Sequence, residues 1–121
     1  MNETQNRPLS YVRISDGKII STNVETAYTF GKRFRGLMLR KSLAEGSSMH
    51  IKPCGSVHCF FMKFPIDVVF LSTNGTVVHI INEMKPWTVS KIYAKAESVL
   101  ELPSGTASKV GLKIGDRLQI I

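Results

Sequence analysis

The stretch from Val57 to Leu71, Val-His-Cys-Phe-Phe-Met-Lys-Phe-Pro-Ile-Asp-Val-Val-Phe-Leu, constrains the fold more than any other part of the chain. Two apolar runs, Val57 to Met62 and Ile66 to Leu71, flank a Lys-Phe-Pro corner, and short apolar runs bounded by a breaker read as buried strands. They are expected to form the central hairpin of a β core, with Phe60, Phe61, Met62, Val69 and Leu71 filling it. On strand alternation His58 shares a face with Phe60 and Met62, and Asp67 shares one with Val69 and Leu71.

The flanking sequence continues this pattern. Ser10 to Ile14 and Lys18 to Thr22 are short strands around Asp16-Gly17, a dipeptide that takes the positive φ of tight hairpin turns. Thr22-Asn-Val-Glu25 has capping-box spacing and predicts a helix start. Ala27, Phe30, Phe34, Leu37 and Met38 then give an apolar stripe, with Lys32, Arg33 and Arg35 largely away from it. Gly31 and Gly36 each cost about 1 kcal/mol in a helix, which should end near Gly36. Strands follow at Met49 to Lys52, at Val77 to Ile81 after the Asn74-Gly75 turn, at Ile92 to Ala94, at Val99 to Leu102 and at Arg117 to Ile121. Ser104 to Lys109 suits one helical turn after Pro103. Many short antiparallel strands with turns between them and one real helix predict a mainly β fold, a β-sandwich or barrel.

Composition narrows the classes of function. At 121 residues the chain reads as a single domain over 10–121, preceded by a flexible N-terminus over 1–9. No signal peptide is visible, and the longest apolar run of six residues is far below the ~20 needed to span a bilayer, so a soluble cytoplasmic protein is expected. The net charge of +7 favours acidic partners: a small polar or anionic ligand, or an acidic protein segment. Nucleic acid is disfavoured, because the basic residues are scattered and lack the aromatic interleaving of known modules. Cys54 and Cys59 form no disulfide framework and read as thiols.

Arg33-Phe-Arg-Gly-Leu-Met-Leu-Arg40, then His58-Cys-Phe-Phe-Met62-Lys-Phe-Pro65-Ile-Asp67, then Leu100-Glu-Leu102-Pro-Ser-Gly105 with Gly115-Asp116, occur in that order. In these motifs residues 24 to 121 resemble family 192 of the domains of unknown function, an uncharacterised prokaryotic family. The resemblance implies a mainly β fold of sandwich or jelly-roll-like architecture, with a short helix carrying the arginines. It implies no established activity. The chain departs from the family pattern at Gly46-Ser-Ser-Met49 and at Cys59, where Thr or Ser is usual.

Asp67 is the first candidate for chemistry, because a carboxylate within an apolar strand is costly to bury unless it is paired or hydrogen-bonded. It reads either as a general base or ligand acceptor, or as a structural group that takes backbone amides or meets Arg35 or Arg40. With His58 across the corner it could form an acid/base pair, the enzymatic alternative. Neither stands beside a nucleophile motif, so the chain leans away from an enzyme and the sequence calls for no cofactor. The leading expectation is a non-catalytic binding or accessory module. Its groove would lie near Asp67 and the helix arginines, with Arg35, Arg40, His58, Met62, Lys63, Asp67, Trp87 and Glu101 as candidate ligand contacts. Arginines make bidentate bonds to phosphate or carboxylate, and Trp87 follows Pro86 in a loop where an exposed aromatic marks a contact. His50, Cys54, His58 and Cys59 are zinc-type ligands within ten residues. No zinc site is expected of them, because neighbours on a strand point to opposite faces and no Cys-x-x-Cys knuckle is present.

Overall fold

The computed structural model describes residues 8–121. Seven strands form one sheet: β1 (Leu9–Arg13), β2 (Ile19–Ala27), β3 (Ser47–Ile51), β4 (Ile66–Leu71), β5 (Val77–Met84), β6 (Ser98–Pro103) and β7 (Leu118–Ile120). Two short helices join them, α1 (Phe30–Arg35) and α2 (Thr106–Lys109). The spatial order is β5-β4-β6-β3-β2-β1-β7, and every pairing is antiparallel except β2 with β3. The mainly β fold and its two helical pieces are those expected from the sequence. The expectation for the N-terminus falls mostly on residues 1–7, outside the described residues, while Leu9 already opens β1.

The sheet curls until its two edges touch at one end. Thr76 bridges Arg117, the Val77 amide donates to the Asp116 carbonyl at 2.7 Å, and the Leu118 amide donates to the Gly75 carbonyl at 2.8 Å. The Asn74-Gly75 turn makes this approach feasible. Gly75 has φ +83°, and a Cβ there would run into the Leu118 carbonyl. Strand alternation then supplies a core on each face. Tyr11, Val69, Leu71, Val77, Leu100, Leu102 and Leu118 pack inside the curl, where residues from both edge strands meet. Ile66, Val68, Phe70, Met49, Ile51 and Val99 face outward beneath α1 and the loop after β3. All six residues of β4 are therefore buried.

Three local expectations are corrected. Val57 to Met62 is a loop and not half of a central hairpin. β4 pairs with β5 on one side and β6 on the other, so no edge remains for it. The loop bonds instead to the segment after β5: the Cys59 amide donates to Thr88, and the Trp87 and Ser90 amides donate to Cys59 and Val57 at 2.7 Å. Phe60 and Phe61, expected in the core, are exposed. The helix does not begin at Thr22. β2 runs on to Ala27, held in parallel register by β3 from Asn23–Ser47 to Ala27–Ile51. The helix starts at Phe30, where the Thr29 hydroxyl accepts the Lys32 amide, and ends at Gly36 with φ +47°. Its six residues bury none, and Phe30 and Phe34 of the predicted inward stripe are 78% and 65% exposed. Finally, Ile92 to Ala94 is loop.

Candidate functional site

Where α1 crosses the outer face of the sheet it encloses a cavity of about 220 Å³. Leu37, Ile51, Val57 and Met62 supply apolar walls, while Arg33, Arg35, Cys54, His58 and Glu101 bring polar groups to it. Glu101 arrives by alternation along β6. Leu100 and Leu102 point inside the curl, so Glu101 points outward beside Val99, level with Met49 of β3 and Val68 of β4.

Glu101 is the unusual group of this site. It is only 4% exposed and forms no ion pair or side-chain hydrogen bond among the described residues. Burial pushes its carboxyl up to about 7, opposed only by the through-space charge of Arg40. Arg40 comes no closer because Glu25 holds its guanidinium with two bonds of 3.0 and 2.7 Å. A second unpartnered group borders the same cavity. Arg33 donates one terminal N–H to the Pro53 carbonyl at 3.2 Å, but its buried Nε–H finds no acceptor among the described residues. At neutral pH the cavity thus holds an acid near its midpoint, able to donate or accept a proton, beside a fixed cationic donor.

The thiols are not poised for nucleophilic attack. Burial raises the Cys54 thiol, which donates to the Ser56 carbonyl at 2.9 Å, and pushes the fully buried Cys59 up to about 12. His50 is on the inner face against Tyr11 and Tyr28, so the four zinc-type ligands of the sequence do not converge on one point.

Of the residues singled out in the sequence, Arg35, His58, Met62 and Glu101 line the cavity. Asp67 does not, which corrects the expected groove beside it. Its side chain is fully buried inside the curl, where one oxygen accepts the Glu83 amide and the other the Ala107 amide, each at 2.9 Å. Both oxygens are occupied by backbone on the face opposite His58, so the Asp67–His58 acid/base pair does not form. Neither Arg35 nor Arg40 reaches Asp67. Arg40 belongs to Glu25, Lys63 is exposed in the loop before β4, and Trp87 packs on Phe61 with ring centroids 4.9 Å apart, outside the cavity. Two further polar residues of the cavity, Arg33 and Cys54, were not among the candidate ligand contacts: the sequence offered Arg33 only as one of the basic helix residues and Cys54 as a thiol or zinc-type ligand.

A second, larger cavity of about 710 Å³ lies at the end of the curl where the two edges meet, lined in part by Gly75, Arg117 and Leu118. Some of its polar groups satisfy one another: Tyr28 Oη and His50 Nδ1 lie 2.7 Å apart, and Lys52 pairs with Glu97 at 3.1 Å, while the buried His50 Nε2 has no partner among the described residues. Burial holds the His50 imidazole down at about 4, so it is neutral at physiological pH. The smaller cavity has the stronger claim to an anionic ligand, because it brings together a proton donor and a cationic donor, Glu101 and Arg33 Nε–H, whereas the larger one offers a single unpartnered group, the neutral His50 Nε2.

Fold and site together define a small, single-sheet β protein with a fragment-sized cavity under a basic helix. The model of DUF192, described as an uncharacterized family, matches residues 11–120, and the chain belongs to that family. It is 35% identical over 111 residues to the UPF0127 protein PF1050 of Pyrococcus furiosus, an alignment covering 89% of this chain and 95% of that one. Two crystal structures share the fold. A protein of unknown function from Novosphingobium aromaticivorans superposes with a TM-score of 0.79 at 24% identity, covering 93% of this chain and 83% of its own. A supposed transcription regulator from Sinorhizobium meliloti superposes with a TM-score of 0.78 at 27% identity, covering 92% and 90%.

Proposed function

We propose that the protein is a binding module whose cavity under α1 takes a small organic acid. The acid group is held by Arg33 and Arg35 with the neutral Glu101 carboxyl donating to it, and an apolar body rests on Leu37, Ile51, Val57 and Met62. One observation carries this reading: the Glu101 carboxyl, with no hydrogen-bond or ion-pair partner among the described residues, and the buried, unpartnered Arg33 Nε–H border the same cavity. Buried polar groups without partners are rare in folded proteins and mark places where something else completes them. The basic surroundings repel a cationic ligand and favour an anion. A cavity near 220 Å³ is below the usual ligand-pocket range of about 300–1,000 Å³, which restricts the ligand to fragment size. With neither thiol ionised and no base placed beside a nucleophile, binding is preferred to catalysis. The reading places the protein in the cytoplasm, where Cys54 and Cys59 stay reduced.

The test uses benzoate and hexanoate, titrated by calorimetry at pH 6 and pH 8. If neutral Glu101 is the donor, wild-type affinity drops about tenfold between the two, following the fraction of the competent protonated form. Glu101→Gln, which donates at any pH, binds equally at both, and Arg33→Gln loses binding. Equal wild-type affinity at the two pH values, or no binding of either acid, contradicts the proposal.

A further inference from the structure

The basic residues are scattered along the sequence but not in space. Segments 28–44, 52–66 and 84–96 contain ten of the sixteen basic residues and none of the nine acidic ones. In the fold these segments are stitched together. The Leu39 amide donates to the Phe61 carbonyl at 2.9 Å, the Cys59 amide to Thr88 at 2.8 Å, and the Tyr93 amide to Gly55 at 2.9 Å. Of the ten, only Arg40 and Lys52 meet acids, Glu25 and Glu97, among the described residues. Apart from Lys52, which lines the second cavity with Glu97, these bases belong to α1 and the loops bonded to one another beside it, and gather the charge on that side of the protein.

That surface is also where the chain exposes its largest apolar side chains. Phe34 is 65% exposed, Leu39 67%, Phe61 52% and Trp87 58%. Three of these sit in the left-handed region of backbone space, Leu39 at φ 67°, Phe61 at φ 59° and Trp87 at φ 66°. Bulky residues rarely adopt it, because their Cβ clashes with the backbone, and such strain persists at sites where the side chain's direction matters. Here the strained positions turn a leucine, a phenylalanine and a tryptophan outward, next to one another.

We propose that this surface docks on anionic lipid bilayers, with Leu39, Phe61 and Trp87 entering the headgroup region and the surrounding lysines and arginines meeting lipid phosphates. Apolar side chains ringed by bases are the pattern of interfacial membrane binding, in which long basic side chains extend to the headgroups while rings and aliphatic groups go below them. Single-stranded nucleic acid would also meet bases and aromatics, but it binds by stacking on rings. An outward leucine on a strained backbone offers it nothing, whereas a bilayer takes it directly. The inference is independent of what occupies the cavity.

Trp87 is the only tryptophan, so its emission reports on this surface alone. Vesicles of phosphatidylcholine with 30% phosphatidylglycerol are expected to sediment the protein and shift Trp87 emission to the blue at low salt, and pure phosphatidylcholine is not. Lys63→Gln with Lys91→Gln is expected to weaken binding at least tenfold. Leu39→Gly with Phe61→Gly removes two apolar groups and also relieves their backbone strain. That variant is expected to melt no lower than wild type and still lose the blue shift, which separates docking from folding. Equal binding to neutral and anionic vesicles overturns the proposal, as does no binding to either. Blue-shifted Trp87 emission with a single-stranded oligonucleotide but not with anionic vesicles overturns it as well, and assigns the surface to nucleic acid.

Discussion

Replacing Asp67 by alanine is expected to destabilise the protein by about 3–5 kcal/mol, a large part of the roughly 5–15 kcal/mol that holds a domain of this size. The carboxylate is fully buried and joins three elements. It leaves β4, accepts the amide of Glu83, which sits at φ 53° near the end of β5, and accepts the Ala107 amide at the start of α2. α2 has no side-chain cap of its own, so Asp67 supplies from a distance what an N-cap residue supplies locally. Alanine leaves two buried N–H groups without acceptors, and each lost charge-assisted bond costs about 1.5–3 kcal/mol. Asparagine keeps one acceptor and presents an amide nitrogen to the other N–H, so it too is expected to be destabilising, by less. Chemical denaturation measures both. A loss below about 1 kcal/mol for Asp67→Ala would refute the structural role.

The second large effect is on the pH dependence of stability. Glu101 titrates at about 7 in the folded protein against an ordinary 4.5, so the folded state holds its proton between these values. Its contribution is fully present below 4.5 and lost as pH rises through 7. The buried carboxylate above pH 7 costs on the order of 3 kcal/mol. His50 runs the other way. Its folded value of about 4 lies below the ordinary 6.5, so its contribution is present above 6.5 and lost as pH falls towards 4, by a similar amount. Between 4.5 and 6.5 the two slopes oppose each other, and wild-type stability should change little from these groups. Glu101→Gln is expected to be more stable than wild type at pH 8 by on the order of 3 kcal/mol, and to lose stability steadily from pH 6.5 to 4.5. His50→Asn should instead gain stability over that same interval. Urea unfolding across pH 4 to 8 reads all three curves, and parallel curves for wild type and Glu101→Gln would show that Glu101 is not buried as described.

What the sequence revealed was what local chemistry decides. Asp16-Gly17 and Asn74-Gly75 turn the chain where expected, since Gly17 and Gly75 take positive φ at no steric cost whatever packs around them, and the helical turn after Pro103 forms as α2. Val57 to Met62 misled because strand formation needs a free neighbouring edge, and β5 and β6 occupy both edges of β4. Thr22 and Glu25 carry helix-start chemistry, but β3 offers β2 a full parallel ladder and Arg40 takes the Glu25 carboxylate. The apolar stripe of α1 was legible as a period while its direction was not, because the helix meets the sheet through neighbouring residues such as Leu37 rather than its own phenylalanines. Among the candidate residues, Asp67 proved visible as an anomaly whose structural explanation was already available. Glu101 was named as one ligand contact among eight, but its place as a buried acid facing a cavity was not legible, because tertiary packing alone sets Arg33, Arg35 and Leu37 around the same cavity.

The most direct test is therefore the titration of Glu101 itself, followed by carbon-13 NMR of its side-chain carboxyl in the intact protein. The structure predicts a midpoint near pH 7, moved further upward when a small organic acid occupies the cavity and requires the protonated form. A midpoint near the ordinary 4.5, unaffected by benzoate, would contradict the account.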